Sequence, residues 1–419
     1  MPTFHGRRWT LLAFAGGVVL SVVAFVVAGP LDPPSGAISP TYKTLTDVEP
    51  RIAINSVNTP GDADSFYKIS QSGSYYLTSG FTGVSGKMGI EIAASNVKVD
   101  LNGFTVLGVS TALSGIRGTG SISNVHIRNG TVRSWGQDGI DLGSAGVSGS
   151  SVVEVTSIAN GGMGIRLSGW ATARNCTVIS NASHGISAAN DSTVSSCTAE
   201  GNATAAFAVG IYVGANSSVL DCTAINNGVS TGGAYGITTG DHSIVARCTA
   251  NSNGSGSANC IGLLVGQASI VDRCVANSNT GSASSLTNCG IYAASGSTVQ
   301  YSEATLNGHD GIRANSQCTI VANTCIANGR TTATGAGIRA SGIRARIEGN
   351  HCDGADRGIV VESTGNIIVR NTCTQNSTNW DVAAGNVCLV VNAATGGAIL
   401  GNSGGAPPGS TDPNANFSH

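Results

Sequence analysis

The chain is short of charge and short of aromatic rings. Of 419 residues only 11% are charged and 5% aromatic. The 21 Lys and Arg are balanced by 23 Asp and Glu, for a net charge near −2. Such a surface has no basic tract to follow a phosphate backbone, which excludes nucleic acid as a partner. After the first 29 residues no apolar run reaches membrane-spanning length. The segments that recur along the chain are too short for helices. Disorder and collagen are excluded as well: 41% of the residues are hydrophobic, and the 59 glycines follow no Gly-X-Y period.

The first 29 residues stand apart. "MPTFHGRRWT" is basic, "LLAFAGGVVLSVVAFVVAG" is continuously apolar, and Ala28-Gly29 is a small-residue exit. This is the layout of an export signal, by the general route or, from Arg7-Arg8 before Leu11-Leu12, the twin-arginine route. Left uncleaved, residues 9–28 would anchor the chain in a membrane. The expected location is the periplasm, the cell surface or the outside.

What the sequence has is a repeat. Gly followed by Ile or Leu returns at Gly89, Gly115, Gly139, Gly164, Gly185, Gly210, Gly236, Gly262, Gly290, Gly311, Gly337 and Gly358. The spacing never falls below 21 residues and never exceeds 28, as for one fixed unit carrying loops at tolerant corners. Within a unit, apolar residues alternate with period two, Val, Ile and Thr dominate, and Gly, Asn and Ser bound the runs. These are short strands joined by bends. A single such coil cannot bury its inner face, whereas stacked coils can. Twelve residues after successive anchors stand Cys176, Cys197, Cys222, Cys248 and Cys274, and the column then changes to Asn323/Cys325, Asn350/Cys352 and Asn371/Cys373. Like-on-like columns are what parallel strands in register produce.

On these features the chain resembles the right-handed parallel β-helix proteins, the architecture of pectate lyases, in an exported bacterial branch without an established activity. The resemblance supplies the handedness and covers about residues 85–400. The expected fold is all-β, a right-handed parallel β-helix of about twelve coils between two caps. The expected organisation is an export signal or anchor over 1–29, a Pro-rich linker and N-terminal cap over 30–84, repeats over 85–380, and a C-terminal cap and tail over 381–419. "YKISQSGSYYLTSG" reads as a strand pair capping the bottom of the stack. The caps cover edges that would otherwise recruit further strands. A monomer is expected.

Twelve cysteines in an exported chain suggest disulfides. Stacking argues against them in the columns, because Cβ atoms about 4.8 Å apart with parallel vectors exceed the roughly 3.8 Å that a disulfide prefers. A straight column also cannot surround a metal ion tetrahedrally. The column cysteines are therefore read as buried thiols, and Cys260 and Cys289, which precede anchors on successive coils, as the disulfide candidates.

Chemistry is sought where outward side chains from successive coils converge. Two residues after each anchor the side chain points outward, giving Glu91, Arg117, Asp141 and Arg166 in alternating sign, with Trp135, Asp138, Trp170 and His184 nearby. As a sugar-binding face, Trp135 and Trp170 supply platforms, Glu91 and Asp138 polar contacts, and the Arg forks match uronate carboxylates. As a plain ladder, the charges neutralise their neighbours and keep the face soluble. For catalysis the candidates are Arg117, Asp141, Arg166 and His184. Flanking arginines should hold Glu91 and Asp141 ionised, which is wrong for a general acid. The resemblance implies an Arg base with Ca²⁺ on clustered aspartates. Arg117 or Arg166 fits the base, but no Asp cluster supports calcium, and no other cofactor or metal is indicated. The Asn-Thr-Asp, Asp-Asp and Gly-His-Gly motifs of the polygalacturonase branch are absent. A second patch gathers Tyr292, His309, Asp310, Arg313, Arg339 and Arg357, with "GHDG" on a turn as a His–Asp pair that is more often solvated than catalytic. The function expected is an exported face for polysaccharide, extending to lyase-type processing of acidic glycans. The alternative is a non-catalytic structural or adhesive surface protein.

Overall fold

A computed structural model describes residues 49–143, 146–202, 208–228, 233–254, 259–281, 288–329, 334–392 and 413–418. The expected export segment, the Pro-rich stretch to residue 48 and most of the tail lie outside the described residues. The chain divides into Met1–Glu49 and Pro50–His419, and every described residue except Glu49 belongs to the second unit. Among the described residues no helix is long and apolar enough to cross a membrane.

Three short strands make one coil. In one of them these are Ile186–Ala188, Thr193–Ser195 and Thr198–Glu200. The first joins a 14-stranded sheet and the other two a 28-stranded sheet, and the strands pair in parallel with their equivalents one coil away. Alternation does the sorting: Ile186, Ala188, Val194 and Ala199 point into the core, while Thr193 and Thr198 stay half-exposed. The twelve Gly-Ile anchors account for twelve rungs of the 14-stranded sheet. The remaining two are Ser65–Ile69 and Thr378–Val382, which carry no such anchor. The stretch read as a capping strand pair consists of rungs of the stack itself, with Ile52–Ile54 pairing ahead of Gly73–Leu77. Ser65–Ile69 pairs with Met88–Ile92, and Gly73–Leu77 pairs with Val97–Asp100 in the other sheet. Each has its own inward apolar set, Ile69 in one and Tyr75 and Leu77 in the other, so both belong to the stack.

Corners are made by residues in the left-handed region. In the coil above, Asp191, Ser196 and Gly201 have φ of 59°, 52° and 60°, and the next residues inward are Ser192, Cys197 and Asn202. Turning the chain there takes the following N–H out of the strand ladder, and a small polar side chain one coil along accepts it. Ser192 N–H donates to Ser217 Oγ at 3.1 Å, Cys197 N–H to Cys222 Sγ at 3.4 Å, and Asn202 N–H to Asn227 Oδ1 at 3.1 Å. The three columns run along the stack, and the cysteine column passes through Ser302 into Asn323, Asn350 and Asn371 as the spacing predicts. The longest amide column runs from Asn160 through Asn181, Asn202, Asn227, Asn253, Asn279 and Asn307 to Asn328. It also explains the anchor glycines, since a Cβ on Gly210 would lie 2.6 Å from Asn227 Nδ2.

Candidate functional site

The column two residues after the anchors is continuous in register: Lys68, Glu91, Arg117, Asp141, Arg166, Ser187 and Tyr212 lie side by side on seven rungs. Its charges pair along the stack. Lys68 Nζ lies 3.1 Å from Glu91 Oε2 and Arg117 Nε 3.4 Å from Asp141 Oδ2. Thr119 Oγ1 donates to Glu91 Oε1 at 2.8 Å, and the Gly143 N–H to Asp141 Oδ1 at 3.1 Å. Glu91 and Asp141 are consequently buried rather than displayed, a correction to the outward face expected there.

Trp135 is also corrected. It is 1% exposed and donates Nε1–H to the Val106 carbonyl at 3.1 Å. Its ring occupies room left by glycines: a Cβ on Gly83, Gly89 or Gly108 would approach it within 2.7 Å. It is core, not a sugar platform. Trp170 is 71% exposed at a corner with φ 53°, and it alone of the two tryptophans presents a ring to solvent. Asp138 is half-buried and accepts the Met163 N–H at 2.6 Å. Burial, aided by the neighbouring Asp141 charge, raises its carboxyl above the ordinary value against the Met163 bond and the opposing pull of Arg166 and Arg117. His184 Nδ1 accepts the Val209 N–H at 3.3 Å, and burial lowers its pKa. Arg166, Ser187 and Tyr212 share a shallow cavity of 330 Å³.

The second patch is assembled, but more deeply than a turn implies. His309 and Asp310 are buried, and Asp310 opens the strand Asp310–Ala314. Its carboxylate accepts Arg339 Nε at 2.8 Å and the Ala336 N–H at 3.0 Å, with His309 Nδ1 3.0 Å away. Arg339, itself buried, reaches on to Glu362 at 2.8 Å. Tyr292, Arg313 and Arg339 are in register on three rungs, and Tyr292 Oη accepts from Asn315 Nδ2. His309, Arg313, Arg339, Arg357 and Glu362 line a cavity of 220 Å³. The solvated His–Asp turn is thus a buried ion-pair network.

Cys260 and Cys289 are both free and buried. The register sets Cys289 beside Ile261 and Cys260 beside Ala234, one residue out of step, so the expected bridge does not form.

A further cavity lies elsewhere, on the outer face of the 28-stranded sheet, and no spacing argument pointed to it. It has a volume of 520 Å³ and is lined by Lys98, Asp100, His126, Arg128, Ser151, Glu154 and Arg174 among others. Register brings them together: Lys98, His126 and Ser151 form one row, and Asp100, Arg128, Val153 and Arg174 the next. Asp100 receives Arg128 Nη2 at 2.7 Å, Arg51 Nη1 at 3.0 Å and the Asn102 N–H at 2.8 Å. Burial opposes its charge, but the Asn102 N–H and the Arg128 guanidinium outweigh that and hold its carboxyl below the ordinary value. Burial, with a smaller push from Lys98, lowers the pKa of His126. A recurrence of polar residues on alternate positions of the second strand was the signal available, masked there by the longer strands Val125–Arg133 and Ser151–Ile158. Among the described residues no three His, Cys, Asp or Glu side chains converge as a metal set.

The family model described as "Right handed beta helix region" matches residues 88–250. The protein is a right-handed parallel β-helix. Solved structures similar to this β-helix include the A-module of the mannuronan C-5 epimerase AlgE4 of Azotobacter vinelandii, at 15% identity over 75% of this chain and 91% of that one, with a TM-score of 0.46. The periplasmic alginate epimerase AlgG matches at 13% identity over 82% and 81%, TM-score 0.39. PfbA, a surface adhesin of Streptococcus pneumoniae, matches at 10% identity over 76% and 83%, TM-score 0.33. Likeness at this level speaks to the fold alone. No curated protein matches the β-helix chain.

Proposed function

We propose that this β-helix is an exported protein that binds an acidic polysaccharide laid along the groove of the 28-stranded sheet. The observation that carries the reading is the 520 Å³ cavity crossing successive rungs, with Lys98, Arg128 and Arg174 delivered to it from the first, second and fourth of four rungs. Rungs about 4.8 Å apart set these charges one and two steps apart, each step close to the length of one sugar residue. Arg forks suit uronate carboxylates, and with Asp100 neutralised from two sides the groove keeps a positive bias. The basic-then-apolar start of the sequence supports delivery outside the cytoplasm. Lyase-type processing is the finer form of the same reading.

Titration calorimetry with polygalacturonate, alginate and a neutral dextran tests it. Binding of the first two, weakening with salt and falling about tenfold or more in Lys98→Ala/Arg174→Ala, is expected, equivalent to about 1.4 kcal/mol. Unsaturated products followed by ultraviolet absorbance, with and without Ca²⁺, report lyase action. Equal binding of dextran, or no effect of the double variant, refutes the groove. No binding to any glycan favours the rod as a structural element, the reading that the unbroken columns of Ser, Cys and Asn support.

A further inference from the structure

Within the groove, Ser151 differs from the hydroxyls that continue its row. One coil along it faces Thr172, but one coil back it faces His126. Ser151 Oγ is hydrogen-bonded to His126 Nδ1, and His126 Nε2 lies 2.6 Å from Asn124 Oδ1. Asn124 is oriented in turn, since its Nδ2 donates to Asn96 Oδ1 at 2.8 Å. That bond leaves the Asn124 oxygen for the ring, so Nε2 carries the proton and donates it. Nδ1 then holds the lone pair and accepts the serine proton. Asn96 and Asn124 both occupy the left-handed region, with φ of 58° each, which fixes the amides beside the strand ends. A nucleophile, a base and an orienting amide thus stand in order, and Ser151 and His126 both line the 520 Å³ cavity.

We propose that Ser151 and His126, oriented by Asn124, form a nucleophile–base pair that hydrolyses carboxylic esters, the substrate class being O-acyl groups on the sugar chain in the groove. Ser151 Oγ attacks the ester carbonyl carbon while its proton passes to His126 Nδ1. The carbon–oxygen bond to the sugar then breaks, and Nδ1–H protonates the departing sugar oxygen. Water, giving its proton to Nδ1, attacks the acyl-serine and releases the carboxylic acid. The proton then returns to Ser151. Lys98 and Arg174 supply positive charge to the cavity in which the oxyanion develops. The glycan as carrier rests on the binding reading above; the serine chemistry does not.

The test uses a fluorophosphonate probe and p-nitrophenyl acetate on the full chain, with acetate release from acetylated pectin and acetylated alginate as the polymer arm. Mass spectrometry should place the probe on Ser151 of native protein, and Ser151→Ala should abolish both labelling and turnover. His126→Gln should slow turnover on the order of a hundredfold or more, and Asn124→Ala should lower kcat with KM little changed. The acid limb of the rate profile should fall below the ordinary His value of 6.5. Around the ring are Lys98, Arg128 and Arg174 as cations and Asp100 and Glu154 as anions. No labelling of native protein above a heat-denatured control, or unchanged hydrolysis by Ser151→Ala, overturns the nucleophile. Labelling without acetate release from either polymer overturns the glycan ester as substrate. Loss of glycan binding with labelling intact fails the binding reading alone.

Discussion

Replacing Asn227 by Ala removes one link from the long amide column, and the cost follows from its partners. Asn227 is fully buried. Its Oδ1 accepts the Asn202 N–H and Asn202 Nδ2, each at 3.1 Å, and its Nδ2 donates to the Ala199 carbonyl and Asn253 Oδ1, each at 3.0 Å. Three of those four groups keep another bond: Asn202 Nδ2 to Val178 O at 3.0 Å, Asn253 Oδ1 from the Asn227 N–H at 3.1 Å, and the Ala199 carbonyl from the Ile225 N–H in the strand ladder. Only the Asn202 N–H loses its partner. At about 1–3 kcal/mol for a buried polar group left unpaired, Asn227→Ala should cost about 2–4 kcal/mol once the vacated volume is included. The outward Glu200→Ala on the preceding coil should stay within about 0.5 kcal/mol. Asn227→Asp gives a sharper discrimination. It keeps the shape but turns a donor into an oxygen facing two oxygens, so it should be no milder than Ala at neutral pH and should recover in acid, where the carboxyl is protonated. The assay is urea unfolding with amide exchange resolved by residue. Exchange should rise first in the coils on either side of residue 227, because each coil contacts only its neighbours. An Ala variant within about 0.5 kcal/mol of the parent, or an Asp variant equally stable at both pH values, would refute the ladder as a source of stability.

The buried ionisable groups give two more outcomes. Asp310→Asn removes the charge opposite the buried Arg339 and should destabilise by about 3–5 kcal/mol, read as a lowered Tm, whereas Asp310→Leu/Arg339→Met should recover most of it; equal losses in both would mean the pair is not what matters. Thiol titration of native protein should find at most the half-buried Cys388, since burial pushes the Cys260 thiol up to about 12 and Cys289 well above its ordinary value, and all twelve should react in denaturant without reductant; ten would reveal a disulfide.

The parts of the fold legible in the sequence were those that recur. The Cys176–Cys274 column and its change to Asn323, Asn350 and Asn371 could be traced because those residues stand twelve or thirteen places after an anchor. The column Glu91, Arg117, Asp141 and Arg166 was placed on adjacent rungs for the same reason. From Asn181 to Asn328 the amide column stands seventeen places after each anchor, but Asn227-Gly228 and Asn253-Gly254 look like ordinary turns, which hid it. Exposure was not legible. Trp135 depends on the absence of side chains at Gly83, Gly89 and Gly108, three positions on other coils.

Composition and spacing alone determined that this chain stacks short parallel strands in register, because no single coil of this length can bury its inner face and only repetition supplies the missing half. Depth and convergence were decided by the tertiary structure. Whether a charge two residues past an anchor meets water depends on the charge one rung away. Whether Ser151 meets a base depends on His126 sitting in the same row, 25 residues earlier.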